Sequence, residues 1–313
     1  MKNKVKIAIV QENPVQENLA ACLSRTIELI EEAAGKGADL VVFGETWLPG
    51  YPAWLDYCPE VAFWNHEPTK QVFTWMHQNG VEVPGPVTER LGALARKHQL
   101  ALVIGVNEVI RTGAGQGTMY NSLLIFNEQG ELANHHRKLM PTYTEKLLHG
   151  LGDGNGLKSV DTAFGKLGAL ICWEHWMPLT RQALHESGEH IHIALWPKVH
   201  ELHQVASRHY AFEGRCFVIA VGQIMRVKDL PKVLALPDNL KDQPDHLLLD
   251  GGSCVIGPDG HYLLEPQFAQ TGLFMVEIER LDRLIGERMT LDTTGHYNRK
   301  DVFQLSINRD RSK

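Results

Sequence analysis

Short aliphatic runs recur along the chain, and several are followed by stretches whose apolar positions return with helical spacing. Val5–Val10 reads as a buried strand. Leu19, Cys22, Ile27, Leu29, Ile30 and Ala33 then fall on or near one face, predicting a helix over 19–34 that Gly35 and Gly37 end. Asp39–Phe43 is a second strand, 88–98 a helix with Leu91, Leu94 and Ala95 inward, and Leu100–Val106 a third strand. A hairpin follows, with Met119–Phe126 and Glu131–His135 joined through Asn127-Glu128-Gln129-Gly130. The second half repeats the theme: strands at 167–171, 191–195 and 216–223 alternate with helices at 179–186 and 200–214. A further hairpin pairs 252–256 with 262–265, and 272–279 is a last strand. Helix-linked strands alternating with hairpins predict an α/β fold, a sandwich of two mixed sheets with helices outside. Asp229–Asp250, with several charges and three prolines, reads as a surface insertion. No linker divides the chain, so one domain over 1–313 is expected.

Composition narrows the class. The 313 residues are 43% hydrophobic and 22% charged, a soluble globular balance with apolar mass for a core. A net charge of −6 gives no basic surplus for nucleic acid or an anionic membrane. Five scattered cysteines suit reduced thiols in a cytosol rather than a disulfide framework. The N-terminal run lacks the long apolar region of a signal peptide, and no stretch reaches the length of a membrane span. A cytoplasmic protein is expected.

Three residues at strand ends could carry chemistry. Cys172 closes Gly168-Ala169-Leu170-Ile171 and precedes Pro178, a first-turn helix residue, so it sits on a strand-to-helix turn where backbone N–H groups converge. Taken alone, such a cysteine is most often a buried structural thiol. Glu45 follows Val41-Val42-Phe43-Gly44 at the carboxyl end of a strand, where α/β sheets gather their ligands. Lys138 ends the second strand of the first hairpin, with Glu145 seven residues on. Singly, Glu45 reads as a solvated carboxylate and Lys138 as an edge-guarding lysine. Together they form a set: a thiol must lose a proton to attack, an ammonium lowers its pKa, and a carboxylate takes the proton.

At these residues the chain resembles the nitrilase, or carbon–nitrogen hydrolase, superfamily, and within it the true nitrilase branch. The matching segments are Phe43-Gly44-Glu45-Thr46 with Leu48-Pro49-Gly50-Tyr51-Pro52; His136-Arg137-Lys138-Leu139 with Pro141, Thr142 and Glu145; and Cys172-Trp173-Glu174-His175. Ala194-Leu195-Trp196-Pro197 and Gly295-His296-Tyr297-Asn298-Arg299 with Asp301-Val302-Phe303 support them. The resemblance implies a four-layer α-β-β-α sandwich and a Glu45–Lys138–Cys172 triad, with Glu145 as a supporting glutamate. It implies hydrolysis of an organic nitrile to the acid and ammonia through thioimidate and thioester intermediates, without metal or cofactor. An amidase or a cyanide-degrading enzyme of the same superfamily is the near alternative. The chain ends soon after Phe303, where many members continue into a tail that helps filaments form, so a homodimer or larger homo-oligomer is the expectation.

The aromatics after Glu45, from Trp47 through Trp75, suit either a packed loop or interface, or an apolar wall for an organic substrate. Tyr51, Trp54, Trp173, His175, Trp196 and Pro197 are the candidate substrate contacts. Sixteen histidines raise a metallohydrolase as a distant alternative. However, His185 and His190 are five apart with Gly188 between, which does not place two ligands on one helix face. The glycine-rich stretches 113–117 and 150–156 lack phosphate-loop spacing; both are expected to be loops, the second bordering the active site.

Overall fold

Alternation along the aliphatic runs decides which layer each side chain enters. A computed structural model describes residues 3–279 and 282–311. The first half comprises β1 (Lys4–Gln11), α1 (Leu19–Gly35), β2 (Leu40–Val42), α2 (Trp54–Tyr57), α3 (Glu67–Asn79), α4 (Pro86–His98), β3 (Ala101–Val109), β4 (Met119–Phe126) and β5 (Leu132–Arg137). The second comprises β6 (Val160–Thr162), β7 (Gly165–Ile171), α5 (Pro178–Glu186), β8 (Ile191–Leu195), α6 (Glu201–Gly214), β9 (Phe217–Val221), β10 (Ile224–Arg226), β11 (Leu247–Ile256), β12 (Tyr262–Phe268), β13 (Gly272–Glu279) and α7 (Arg283–Glu287).

One sheet runs β13-β1-β2-β3-β4-β5, the other β10-β11-β9-β8-β7-β6 with β12 on β11. In each, three neighbouring strands are parallel: β1, β2 and β3 in the first, β7, β8 and β9 in the second. These strands are covered on both faces, which is why they read as unbroken apolar runs. Ile7, Ile9, Leu40, Val42 and Val103 enter the core that also holds Ala169, Ile171, Ile193 and Ile219 of the other sheet. Ala8, Val10, Val41, Leu102 and Ile104 face the opposite way, onto Leu29, Ile30 and Ala33 of α1 and Leu91, Leu94 and Ala95 of α4. Ala183 and Leu184 of α5 and Ala206 and Tyr210 of α6 pack on the second sheet. The expected two mixed sheets with helices outside are what the chain forms.

One expectation changes. The segment 229–250 is no solvated insertion: Leu230, Leu234, Leu240, Leu248 and Leu249 are buried in a third apolar cluster, and β11 already begins at Leu247. Their partners are Tyr51, Trp54, Leu55, Val72 and Met76 from the aromatic segment, so two stretches that look like loops bury each other. Helix α3 has no expectation behind it, because only Val72 and Met76 of its residues are buried, a single i,i+4 contact.

The packing predicts that Leu234→Ala lowers unfolding free energy by roughly 2–5 kcal/mol in a denaturant titration, as for a buried leucine. A change within about 0.5 kcal/mol would return the segment to a solvated surface loop.

Candidate active site

Glu45 is delivered by a tight turn off β2. A Cβ at Gly105 would lie 2.4 Å from the Thr46 nitrogen, and one at Gly44 would lie 2.4 Å from Gln223 Cγ, so both positions need glycine's bare backbone. Gln223 Nε2 donates to the Glu45 carbonyl at 2.7 Å. Glu45 Oε1 accepts from Asn121 Nδ2 at 2.7 Å and Lys138 Nζ at 3.0 Å. Its Oε2 is buried and has no partner. Burial pushes the Glu45 carboxyl up to about 7; Lys138 pulls it down, and Glu145 adds to the rise.

Lys138 follows β5 directly, where its N–H donates to the Asn121 carbonyl at 2.8 Å. Its Nζ donates to Glu45 Oε1 and to both oxygens of Glu145, at 2.9 and 2.7 Å. Burial alone would lower its pKa, but Glu45, Cys172 and Glu145 raise it, so it stays an ammonium. Glu145 stands on a 3₁₀ turn (Tyr143–Leu147), and its Oε2 also accepts the Thr142 N–H at 2.8 Å. The loop 150–156 closes on this group: the Gly152 N–H donates to the Lys138 carbonyl at 2.9 Å.

Cys172 ends β7 and opens a 3₁₀ turn in the left-handed region, at φ 49°. Thr46 (φ 47°) and Tyr143 (φ 42°) share that conformation, one beside Glu45 and one near Glu145. For residues with a side chain it costs on the order of 1–3 kcal/mol each, and it recurs at functional sites. Burial raises the thiol well above its ordinary pKa; Glu45 and Glu145 add to this, while Lys138 and the Trp173 N–H oppose it. At rest the sulfur is therefore a thiol that needs a base, and it lies within the field of Glu45.

The other candidates fall at different depths. Tyr51 is buried and lies within the field of Glu145, Glu45 and Cys172. Trp54 packs beside it in the third cluster. Trp173 is half exposed, and the Pro197 carbonyl accepts the Gln223 N–H at 3.0 Å. His175 and Trp196 are fully buried, their rings 4.8 Å apart, with His175 Nδ1 2.7 Å from the Cys172 carbonyl oxygen. Among the described residues no group of three His, Cys, Asp or Glu is placed to hold a metal ion.

Several supporting residues had no assigned role. Glu174, inside the cysteine motif, accepts the Leu139 and Ile171 N–H groups at 2.8 Å each and the His136 Nε2 at 2.9 Å. Burial favours its neutral form, but His136 and the two N–H groups hold its pKa below the ordinary value. It thereby staples the end of β5, which carries Lys138, to the end of β7, which carries Cys172. Glu108 on β3 accepts from His135 Nε2 and Ser122 Oγ at 2.7 Å and from Arg137 Nε at 3.0 Å. Asn107-Glu108 and Asn121-Ser122 were visible as polar pairs inside otherwise apolar strands. Such interruptions of a buried run are the signal that could have found them.

Comparison with known proteins agrees with this fold. It is that of an enzyme acting on carbon–nitrogen bonds. The carbon–nitrogen hydrolase family model matches residues 6–283, and the chain belongs to that family. It is 36% identical over 307 residues to an aliphatic nitrilase of Sinorhizobium fredii (strain HH103), covering 98% of this chain and 96% of that one. It is 37% identical over 315 residues to nitrilase 2 of Arabidopsis thaliana, covering 99% and 90%. A bifunctional nitrilase/nitrile hydratase of Oryza sativa subsp. japonica is 37% identical, over 97% of this chain and 84% of that one. A carbon–nitrogen hydrolase of Helicobacter pylori G27 shares the fold with a TM-score of 0.67 at 20% identity, covering 95% and 96% of the two chains.

Two outcomes follow from the buried charges. Lys138→Met leaves two buried carboxylates facing each other and should cost about 3–5 kcal/mol of stability by denaturant titration; a neutral result would remove the ammonium from between them. Burial favours the neutral form of Glu108, yet His135 and Arg137 hold its pKa down to about 2 against an ordinary 4.5. Its depressed pKa contributes stability that is present above pH 4.5 and lost as pH falls toward 2. Glu108→Gln should flatten unfolding free energy against pH in that window, and an unchanged slope would contradict the assignment.

Proposed function

We propose that this protein hydrolyses an organic nitrile to the carboxylic acid and ammonia, with Cys172 as nucleophile. The observation that carries the reading is the unpartnered, buried Glu45 Oε2 beside a protonated thiol and a fixed ammonium. The names of the curated relatives favour nitriles over amides as substrates.

Glu45 takes the Cys172 proton while the sulfur attacks the nitrile carbon, and the proton passes to nitrogen, giving a thioimidate. Lys138 and the Trp173 N–H stabilise negative charge as it develops on nitrogen and, later, on oxygen. A water deprotonated by Glu45 adds to the thioimidate carbon, the C–N bond breaks and ammonia leaves, giving a thioester. A second water breaks the C–S bond and returns the thiol. Overall, one nitrile and two waters give one acid and one ammonia. Glu145 orients Lys138. Tyr51, Trp54 and Trp173 form the substrate wall, with Pro197 at its margin. The steps are proton transfers, additions and eliminations that these side chains carry out without a cofactor.

We place the protein in the cytosol, where five free, buried cysteines stay reduced. Among the described residues no helix is long and apolar enough to cross a membrane. We also propose a homodimer or larger homo-oligomer, supported by exposed Leu179, Leu202, Val205 and Phe212 along α5 and α6.

The test is ammonia release from paired nitriles and amides by wild type and Cys172→Ala. Release from nitriles, lost in the variant, is expected. Release from amides alone would make the enzyme an amidase, and release surviving the substitution would remove Cys172 from the chemistry. The kcat/KM profile should rise with pH through about 7 as Glu45 ionises, and a flat profile there would remove Glu45 as the base.

A further inference from the structure

A line of buried polar side chains leads away from the back of Cys172. His175 Nδ1 lies 2.7 Å from the Cys172 carbonyl oxygen, and its Nε2 lies 3.0 Å from His192 Nε2. His192 Nδ1 lies 2.8 Å from Glu189 Oε2, and the Tyr210 hydroxyl donates to Glu189 Oε1 at 2.5 Å. All four side chains are buried. The His192 ring stacks on Tyr210 at 3.8 Å, and His175 packs on Trp196.

Counting hydrogens along this line gives a result that does not depend on any titration. A carbonyl oxygen only accepts, so His175 Nδ1 carries a hydrogen. One hydrogen lies between the two Nε2 atoms. A third lies between His192 Nδ1 and the Glu189 carboxyl. Two neutral imidazoles supply two hydrogens, so the line holds one proton more than two neutral rings and a carboxylate do.

We propose that His175, His192 and Glu189 are positioning residues whose relay, carrying that additional proton, clamps the Cys172 main-chain carbonyl and holds the nucleophile in its left-handed turn. The proposal rests on the reading of Cys172 as nucleophile. Of the two groups sharing the His192–Glu189 contact an imidazole is the stronger base, so the proton is assigned to the His192 side. Burial and the neighbouring His192 push His175 well below the ordinary imidazole pKa, so it stays neutral. Burial alone would raise Glu189, but His192 and His185 bring it down to about 2, so it stays a carboxylate.

The other charged and titratable groups around the line come from every packed element. Arg181 of α5 donates to the His175 carbonyl at 3.1 Å and pairs with Glu213 of α6 at 2.7 Å. His185 of α5 stands 3.3 Å from Glu189 Oε1 and 3.2 Å from Glu213 Oε2. His190, ahead of β8, and Cys216, ahead of β9, lie within the field of Glu189.

Glutamine at 189 separates the proton from the contacts. Its Nε2 can donate to a neutral His192 Nδ1 while its Oε1 still accepts from Tyr210, so the same line closes with two neutral rings. The experiment is nitrogen-15 NMR of the full chain labelled at histidine, with the His192 signals assigned by their absence in His192→Asn. At neutral pH the wild type should show His192 protonated on both nitrogens and His175 as the Nδ1–H tautomer. Glu189→Gln should convert His192 to a neutral ring. A neutral His192 in the wild type overturns the assignment of the proton to His192, and a doubly protonated one in Glu189→Gln overturns the role of Glu189 in holding it.

The positioning role is read in kinetics. Glu189→Ala should lower kcat about 10²-fold with KM nearly unchanged, the scale of a nucleophile displaced by about 1 Å, and Glu189→Gln should recover about tenfold of that loss. Equal losses in the two variants, or no loss in either, overturn the clamp. The NMR result needs no substrate. Ammonia release that survives Cys172→Ala would therefore sink the nucleophile reading while leaving the proton count to stand or fall separately.

Discussion

A single ammonium between two carboxylates in a dry interior constrains everything around it. Lys138 Nζ is fixed by one oxygen of Glu45 and both oxygens of Glu145. The group carries two anions against one cation. Burial, with the neighbouring carboxylates adding to it, raises the pKa of Glu45 and of the Cys172 thiol. An imbalance of this kind weakens the fold and, in the proposed mechanism, supplies the chemistry: a base near neutrality, a sulfur kept protonated until a substrate arrives, and a fixed positive charge near the developing anions.

Holding that imbalance falls to the carboxylates and amides in the layer behind it. Asn121 anchors Glu45 through its side chain and Lys138 through its carbonyl, so one strand sets the spacing of the pair. Glu174 joins the ends of two strands from different sheets, with a hydrogen bond to each main chain. Glu108 braces β5 just before Lys138 through Arg137 and His135. Glu174 and Glu108 are buried charges that are themselves paired, because an unpaired one would cost several kcal/mol. The site is thus a set of nested ion pairs, and the mismatch is confined to the innermost one.

This arrangement was only partly legible in the sequence. The parallel strands were, since burial on both faces leaves an unbroken aliphatic run, and so were the chain positions of Glu45, Lys138 and Cys172 at strand ends. The segment 229–250 was not: its leucines are separated by prolines and charges, and they find Trp54 and Met76 only through the fold. Glu174 was in view inside the cysteine motif, yet its partners His136 and Leu139 lie far along the chain and no local pattern connects them. His175 and Trp196 were expected at the substrate; what periodicity does not show is that their rings pack on each other in the interior, with His175 on the Cys172 carbonyl.

The strained backbone positions tie these levels together. Thr46, Tyr143 and Cys172 adopt the left-handed conformation at or within two residues of Glu45, Glu145 and Cys172. A side chain at such a position is unfavourable unless its surroundings leave no alternative. Those surroundings are specific here: Gly105 presses on the Thr46 nitrogen, the Glu145 carboxylate takes the Thr142 N–H, and Glu174 holds Ile171 on one side of Cys172 while His175 holds its carbonyl on the other. Without the strain the three groups would leave their strands in ordinary directions. With it, residues just beyond the ends of β2, β5 and β7, from two separate sheets, meet in one coupled charge cluster, and the contacts that enforce the turns also tune the charges.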